Sequence, residues 1–178
     1  MKIKLWINDK VYNDTIEPDM MLMDYLREKG FKSVKCGCDT TNCGLCTVYM
    51  DGKTVLSCSV PAARASGHHI VTLEGVAALI ERKDYAGAWE ILSAVPAELA
   101  SLGRLRLMKA RTLLGLGRPQ EAIDIMTDDT LTIADYREGE DSLTGLWNEA
   151  VCDLTGLPLD EALQQMPLPA HLDFRMRT

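Results

Sequence analysis

The sequence is poor in the residues and runs from which many active sites and membrane anchors are built. It holds only three histidines, and we find in it neither a serine–histidine–aspartate set nor a glycine-rich nucleotide loop. His68 and His69 lack an accompanying carboxylate cluster, which favours a solvated turn over a metal pair, and His171 stands alone. No apolar run approaches the length that spans a membrane. These absences lead us to expect a cytoplasmic protein, without a membrane partner and without catalytic residues of its own.

Basic residues are also scarce in the second part of the chain, which carries the whole formal net charge of −7. Residues 1–75 contain 9 Lys+Arg and 9 Asp+Glu, whereas residues 76–178 contain 10 and 17. Nucleic-acid binding requires a basic footprint, so a nucleic-acid partner is not expected. The acidic run at 128–141 lacks the spacing of a calcium loop. We expect a solvated loop there, with a cation or a basic partner as the alternative.

Cysteine is the exception to this scarcity, because four of the six cysteines have the spacing of metal ligands. They follow the pattern C-x4-C-x2-C, with the fourth cysteine after eleven intervening residues. This spacing is that of plant-type [2Fe–2S] ligation. Gly37 and Gly44 adjoin the candidate ligands and are predicted to take part in cofactor binding, since a missing Cβ lets backbone amides approach the sulfurs. The predicted metal ligands and cofactor-binding cysteines are Cys38, Cys43, Cys46 and Cys58.

Other interpretations of the cysteines fit the pattern less well. A zinc site made of four cysteines usually has two C-x2-C knuckles, and only Cys43 and Cys46 form one here. Unligated structural cysteines would not need the glycines between them. Cys36 falls outside the ligand frame and is predicted to be a free thiol. Cys152 is predicted to be a small core residue.

Two hairpins are predicted in the first 75 residues. Residues 2–7 alternate between apolar and polar side chains, and the Asn8–Asp9 turn leads into a return strand. Residues 47–58 form the second hairpin, which would deliver Cys58 from its return strand. A last strand is expected near residues 70–73. These strands would tie the cysteine loop to a sheet.

One helix is predicted between the two hairpins. Asp19 would cap its N-terminus, apolar residues would form its buried stripe, and Gly30 would end it. The resulting order is strand–strand–helix–loop–strand–strand. That is the order of a β-grasp ferredoxin.

Short motifs in residues 1–76 also have the order of those in a known family. They are Asn8-x-Lys10, Leu22-x-x-Tyr25-Leu26-Arg27, Lys35-x-Gly37-Cys38, Cys43-Gly44-x-Cys46-Thr47-Val48, Asp51-Gly52-Lys53, Ser57-Cys58 and Thr72-Leu73-Glu74-Gly75. They resemble the ferredoxin domain of the iron–sulfur subunit of molybdenum hydroxylases, the group of xanthine dehydrogenase and of aldehyde and carbon monoxide oxidoreductases. The resemblance implies a [2Fe–2S] cluster on the four spaced cysteines, electron transfer, and a redox partner that is a molybdopterin or flavin subunit.

The chain departs from that family in its cysteine loop and after residue 76, where the resemblance is expected to end. Asp39, Thr41 and Leu45 stand where Gly, Gly and Ala are commoner, which leaves the ligands in place but affects the shape of the loop. The family's next domain carries a second [2Fe–2S] cluster on C-x2-C and C-x-C cysteines. Here Cys152 is the only cysteine after Gly75. We therefore predict a single cluster, in an electron-transfer component of an oxidoreductase rather than in a complete enzyme.

From about residue 76 the apolar pattern becomes helical and repeats with an offset of 34 residues. Ala88 corresponds to Ala122 and Leu92 to Met126, and a weaker third copy follows at 156–163. This period, with a small residue where paired helices cross, resembles that of tetratricopeptide (TPR) repeats. Short arrays of such repeats bind peptides or proteins in a groove. The candidate groove residues are Arg104, Arg106, Lys109 and Arg111.

The sequence thus predicts an α+β protein in two parts. Residues 1–76 would form a β-grasp [2Fe–2S] ferredoxin domain, and residues 77–178 an all-α domain of TPR-like helical repeats. An unrelated helical bundle is the alternative for the second part. The predicted function is one-electron transfer through one cluster. The alternative is a protein-interaction module to which the cluster domain is attached or fused.

Overall fold

The computed structural model describes residues 1–38, 40–95, 103–127 and 143–170. The chain divides into two compact units, Met1–Arg82 and Lys83–Thr178. Three subjects of the sequence analysis lie outside the described residues, namely Asp39, the acidic run at 128–141 and His171.

A five-stranded mixed sheet forms the first unit. The strands are β1 (Lys2–Ile7), β2 (Lys10–Thr15), β3 (Thr47–Met50), β4 (Lys53–Leu56) and β5 (His69–Val71). They lie in the order β2-β1-β5-β3-β4, in which β1 and β5 pair in parallel and the other neighbours are antiparallel. The last strand is shorter than predicted, because a helix already begins at Leu73.

Left-handed turns join the strands of both hairpins. Asn8 and Asp9 have φ of 48° and 68°, and Asp51 and Gly52 have φ of 44° and 82°. Two consecutive residues with positive φ match the twist of the flanking strands, as in type I′ turns. Both predicted hairpins are confirmed.

A short helix covers one face of this sheet. Helix α1 (Leu22–Glu28) buries Leu22, Tyr25 and Leu26. These side chains share one core with the inward-facing isoleucines and leucine of β1. The alternation predicted for β1 is confirmed, since Leu5 and Ile7 are fully buried.

The two ends of α1 compare differently with the sequence prediction. Met21 precedes the helix in an extended conformation and bridges to Pro61. The predicted cap is therefore wrong, because Asp19 lies upstream of this bridge and no side chain caps the helix. Gly30 follows the last turn with φ of 95°, which is the left-handed conformation that commonly ends a helix.

A second helix, α2 (Leu73–Glu81), follows β5 in the first unit. Its first turn lies so close to the β1–β2 turn that a Cβ on Gly75 would collide with the side chain of Asn8 and lie 3.0 Å from Val71 Cγ1. The boundary that we predicted after residue 76 falls inside this helix.

The described residues of the second unit form helices that pack in sequence. They are α3 (Tyr85–Ser93), α4 (Gly103–Gly115), α5 (Pro119–Thr127), α6 (Leu143–Thr155) and α7 (Leu159–Gln165). α4 packs against α3, α5 and α6, and α6 also packs against α5 and α7. Their core includes Leu113, Met126, Leu146 and Trp147. Within the part of the chain that the structure describes, no helix is both long and apolar enough to cross a membrane.

Structural features recur at the predicted offset of 34 residues. Ala88 and Ala122 are both fully buried, and Lys83 and Gly117 both have positive φ, of 63° and 69°. Ala162, in the weaker third copy, is also fully buried. Buried small residues and left-handed turns occur in many helical hairpins, so they agree with a repeat without identifying its type.

Candidate metal centre

The candidate ligands lie in a loop between α1 and β3 and in the turn after β4. The loop is closed by backbone contacts, since the Arg27 guanidinium donates to the Val34 carbonyl at 2.7 Å and the Lys35 amide donates to the Leu45 carbonyl at 3.1 Å. Two of the candidate cysteines lie inside this closed loop, and a third directly follows it. The sheet and α1 thus anchor both ends of the segment that carries the sulfurs.

One pair of cysteine sulfurs lies against the sheet. The Sγ atoms of Cys46 and Cys58 are 3.2 Å apart, and Cys46 is 3% exposed. Cys58 does not lie on the return strand as predicted, because β4 ends at Leu56 and a 3₁₀ turn (Ser57–Ser59) carries it. This turn allows the amide and the hydroxyl of Ser57 to donate to the Cys46 carbonyl, at 3.2 and 2.6 Å. Ser57 therefore holds the two sulfurs together.

A second pair, Cys38 and Cys43, lies nearer the surface, and both side chains are partly exposed. The Cys38 sulfur accepts hydrogen bonds from the amide and the thiol of Cys43 and from the amides of Thr40 and Asn42. These donors, the Cys43 amide foremost, lower the pKa of Cys38 to about 6. Several N–H groups directed at one sulfur stabilise a thiolate, which is the form that binds metal.

The two pairs are close enough to influence each other. Burial raises the pKa of Cys58 to about 11, with further contributions from the Cys46 hydrogen bond and from the charges of Cys46 and Cys38. Because the charge of Cys38 acts on Cys58, the four sulfurs form one site. Among the described residues, no three histidine, cysteine or carboxylate side chains surround a single ion position. The sulfurs are instead grouped two and two.

The residues between the ligands include positions at which a side chain fits poorly. Gly44 is buried with φ of 74°. A Cβ on Gly37 would collide with Leu45 Cδ1 and lie 3.3 Å from Cys43 Sγ. Thr41 also has positive φ, 56°, which the sequence did not predict. The glycine that the resembling family commonly has at this position was the available signal.

The other cysteines and histidines lie elsewhere. Cys36 is exposed, and Cys152 packs against the core of the second unit while remaining partly exposed. His68 Nδ1 lies 2.5 Å from an Asp51 carboxylate oxygen. His69 begins β5 and stacks on Trp6, with ring centroids 4.6 Å apart. The predicted turn is therefore a strand at His69, although its side chain is exposed.

Four thiols in two pairs match the needs of a [2Fe–2S] cluster, which takes four cysteine sulfurs on two irons. Residues 7–70, which include all four, match the family model of the 2Fe-2S iron-sulfur cluster binding domain. The chain is also 35% identical over 137 residues to the xanthine dehydrogenase iron-sulfur-binding subunit of Escherichia coli O157:H7, which covers 77% of this chain and 79% of that subunit. The chain belongs to this family of iron–sulfur subunits. Its ferredoxin domain binds a [2Fe–2S] cluster.

The similarity to this iron–sulfur subunit extends further along the chain than the sequence motifs indicated. An alignment of 137 residues cannot be contained in residues 1–76, where we expected the resemblance to end. Part of the second unit is therefore included in the similarity. This corrects the limit that we drew from the motifs alone.

Other relatives match less of the chain or match it less closely. The nicotinate dehydrogenase small FeS subunit of Eubacterium barkeri is 43% identical over 76 residues, which is 42% of this chain and 48% of that subunit. The match thus spans about half the length of that relative. The structure of quinoline 2-oxidoreductase from Pseudomonas putida 86 aligns with 88% of this chain and 97% of its own, at 26% identity and a TM-score of 0.45. A TM-score of this size does not establish a common overall fold.

A carboxylate beside the loop was not assigned a role from sequence. Glu74 accepts hydrogen bonds from the amide of Ser33 at 2.7 Å, from the hydroxyl of Ser33, and from the hydroxyl of Thr72 at 2.6 Å. Burial raises the pKa of Glu74, but these hydrogen bonds outweigh it and hold the pKa below its ordinary value. Glu74 belongs to a motif shared with the resembling family, but the motif alone does not show which residue it contacts.

Proposed function

We propose that this chain transfers single electrons through one [2Fe–2S] cluster whose ligands are Cys38, Cys43, Cys46 and Cys58. The observation that carries the proposal is the arrangement of these four sulfurs in two neighbouring pairs within the matched domain. A bound [2Fe–2S] cluster takes up and gives back one electron. The chain's own residues hold it, surround it and set its exposure.

The outer and inner sulfur pairs have different tasks in this proposal. Amides of the loop, including those of Thr40 and Asn42, point at the Cys38 sulfur and stabilise negative charge there. Cys46 is buried, so protein rather than water surrounds the inner pair. The Cys38–Cys43 side is therefore the one at which a redox partner can approach most closely.

One cluster per chain is proposed because Cys152 is the only cysteine among residues 76–178. A single thiol cannot supply the four that a second cluster of this type requires. The relatives are named as subunits of xanthine and nicotinate dehydrogenases. We therefore assign this chain to electron transfer beside a partner subunit, one that carries molybdopterin or flavin as the resemblance implies.

Iron and acid-labile sulfide analysis of the anaerobically purified full chain tests the proposal. We expect about two irons and two sulfides per chain, with a rhombic EPR signal after reduction. Changing any proposed ligand to serine, for example Cys38→Ser or Cys58→Ser, should abolish the reducible cluster. Cys36→Ser and Cys152→Ser are matched controls and should retain it. A colourless protein with one zinc per chain would refute the proposal.

A second candidate function, binding of a peptide or protein by TPR-like helices 77–178, is favoured by the recurrence of buried Ala88 and Ala122 at the same offset as the left-handed Lys83 and Gly117. The basic groove suggested from sequence receives less support. Arg111 is paired with Glu149, and burial lowers the pKa of Lys109. Both side chains are thus partly enclosed in the second unit rather than fully exposed to a ligand.

Pull-downs with three matched full-length baits distinguish this function from electron transfer. The baits are the unaltered chain, the cluster-deficient Cys58→Ser variant, and Ala122→Leu, which forces a larger side chain into the contact of α5. A partner that Cys58→Ser retains and Ala122→Leu loses supports a binding function of the helices. A partner lost only with the cluster, or no specific partner, leaves electron transfer as the function.

A further inference from the structure

The beginning of the cysteine loop is fastened to the N-terminal turn of α2 through the carboxylate of Glu74. Ser33, which donates its amide and its hydroxyl to that carboxylate, precedes Cys38 by five positions. Thr72 donates to the same carboxylate at 2.6 Å. A single side chain thus joins the loop to the end of β5 and the start of α2.

Thr72 is itself held from the other side, so the carboxylate is attached to a fixed point. The Thr72 amide donates to Asn8 Oδ1, and Asn8 Nδ2 donates to the Thr72 hydroxyl, both at 2.9 Å. The absence of a Cβ at Gly75 leaves the space that Asn8 occupies. The β1–β2 turn, the end of β5 and α2 therefore support Glu74 together.

Three consecutive residues determine how the loop leaves α1, and each is held by a different partner. Ser33 is held by Glu74, the carbonyl of Val34 by Arg27, and the amide of Lys35 by Leu45. Val34 is 1% exposed, whereas the backbone beyond it is exposed at Cys36 and at Gly37. The orientation of the exposed part is consequently set at these three residues.

The chemistry of the contact suits an ionised carboxylate at this place. Hydrogen bonds to a charged acceptor are stronger than those between neutral groups, and negative charge is favoured in the first turn of a helix. Two oxygens accept three hydrogen bonds here. A shorter or apolar side chain could not replace all three.

We infer that Glu74 is a positioning residue for the cluster: by holding Ser33, it fixes the path of the loop that carries Cys38 and Cys43. The inference rests on the proposed ligands, but it concerns a residue that touches none of them. It adds a function to the Thr72–Gly75 motif, which is to keep the outer sulfur pair in place.

Hydrogen exchange of the full chain, followed by mass spectrometry, tests the inference without relying on redox activity. In Glu74→Ala, amides of residues 33–38 should exchange roughly tenfold faster or more, as expected when a hydrogen bond to a charged group is lost. A chelator should also remove iron from this variant several-fold faster, and the visible circular dichroism of the cluster should change. Glu74→Gln keeps an acceptor for the Ser33 amide and should restore most of the protection.

Two further variants make the result decisive. Glu81→Ala removes an exposed carboxylate from the same helix and should leave loop exchange, iron loss and circular dichroism unchanged. Ser33→Ala keeps the amide contact and should show a smaller change in the same direction, which provides the test if Glu74→Ala does not fold. Loop exchange and iron loss that stay at the level of the unaltered chain in Glu74→Ala would overturn the inference, even if α2 were destabilised.

The outcome is separate from that of the proposed ligands. If Cys38→Ser and Cys58→Ser retained the cluster, the proposed function would fail. Exchange of the iron-free chain would still show whether Glu74 holds the loop.

Discussion

Thr41 occupies a backbone conformation that suits glycine better than a residue with a branched side chain. Its φ of 56° lies in the left-handed region, which costs most residues roughly 1–2 kcal/mol. The strain lies in the exposed part of the loop, between Cys38 and Cys43. A less strained loop would hold the same sulfurs at a lower free energy.

We therefore expect Thr41→Gly to stabilise the first unit by roughly 1 kcal/mol, after allowance for the greater freedom of glycine in the unfolded chain. Denaturant unfolding monitored at the cluster absorbance measures this change. Thr40→Gly is the matched control, since residue 40 has no positive φ and glycine there should destabilise the unit. Destabilisation by both changes to the same extent would contradict the argument.

Gly37 and Leu45 form a matched pair within the loop. A Cβ on Gly37 would collide with the tip of Leu45 and press on Cys43 Sγ at 3.3 Å. Gly37→Ala should therefore reduce iron retention, and adding Leu45→Ala should restore part of it by opening the space. The expected coupling in a double-mutant cycle is on the order of 1 kcal/mol. Additive effects on the free energy of unfolding would show that the two positions do not compete for space.

At the scale of elements, α1 is fastened to β2 by an ion pair and a hydrogen bond that meet at one carboxylate. Lys29 Nζ lies 2.8 Å from Asp14 Oδ2, and the buried Tyr25 donates its hydroxyl to the same carboxylate at 2.6 Å. The hydrogen bond from Lys29, followed by that from Tyr25, lowers the pKa of Asp14 from its ordinary 3.8. The folded state therefore favours the ionised carboxyl more than the unfolded state does.

The sign of this shift determines a pH dependence. A depressed carboxyl pKa contributes stability that is fully present above the ordinary value of 3.8 and is lost as the pH falls through the lower folded value. The free energy of unfolding should thus fall more steeply below about pH 5 in the unaltered chain than in Asp14→Asn. Asp24→Asn, an exposed change on α1, should keep the steep decline. Equal slopes in the unaltered chain and Asp14→Asn would disprove the assignment.

How far the elements could be predicted depends on whether their signals were local. The alternation of Ile3, Leu5 and Ile7 and the turns at both hairpins depend on neighbouring residues, and they were predicted correctly. The start of α1 was not, because Met21 is held by a bridge to Pro61, which is distant in sequence. The 3₁₀ turn that carries Cys58 was missed for a similar reason, since Ser57 bends the chain to reach the Cys46 carbonyl.

The candidate site shows the same division. The spacing of the four cysteines and the family resemblance pointed to their use, and the [2Fe–2S] cofactor is confirmed by the family match. The grouping of Cys46 with Cys58 and the contact of Glu74 with Ser33 were beyond the sequence. Both connect residues that lie far apart in the chain and meet only through the sheet.

At the scale of the whole molecule, the chain has two compact units with their own cores. We expect two transitions in scanning calorimetry of the full chain, in agreement with a modular organisation. Removing iron with a chelator should lower the transition of the unit 1–82, because metal that binds only the folded state stabilises it. The other transition should be unchanged by the chelator, and Ala122→Leu should lower that one alone. One cooperative transition would count against two independently folding units.

The central position of β5 has a consequence for the newly made chain. Its parallel pairing joins Trp6 to His69, so the middle of the sheet cannot close until almost the whole first unit has left the ribosome. Pairings between such distant residues form slowly, because the entropy of the long loop is lost before the contact is gained. All four spaced cysteines leave the ribosome before β5 does. During synthesis, their thiols therefore spend an interval without the sheet that later shelters the inner pair, and iron delivered before that interval ends would meet an unfinished site.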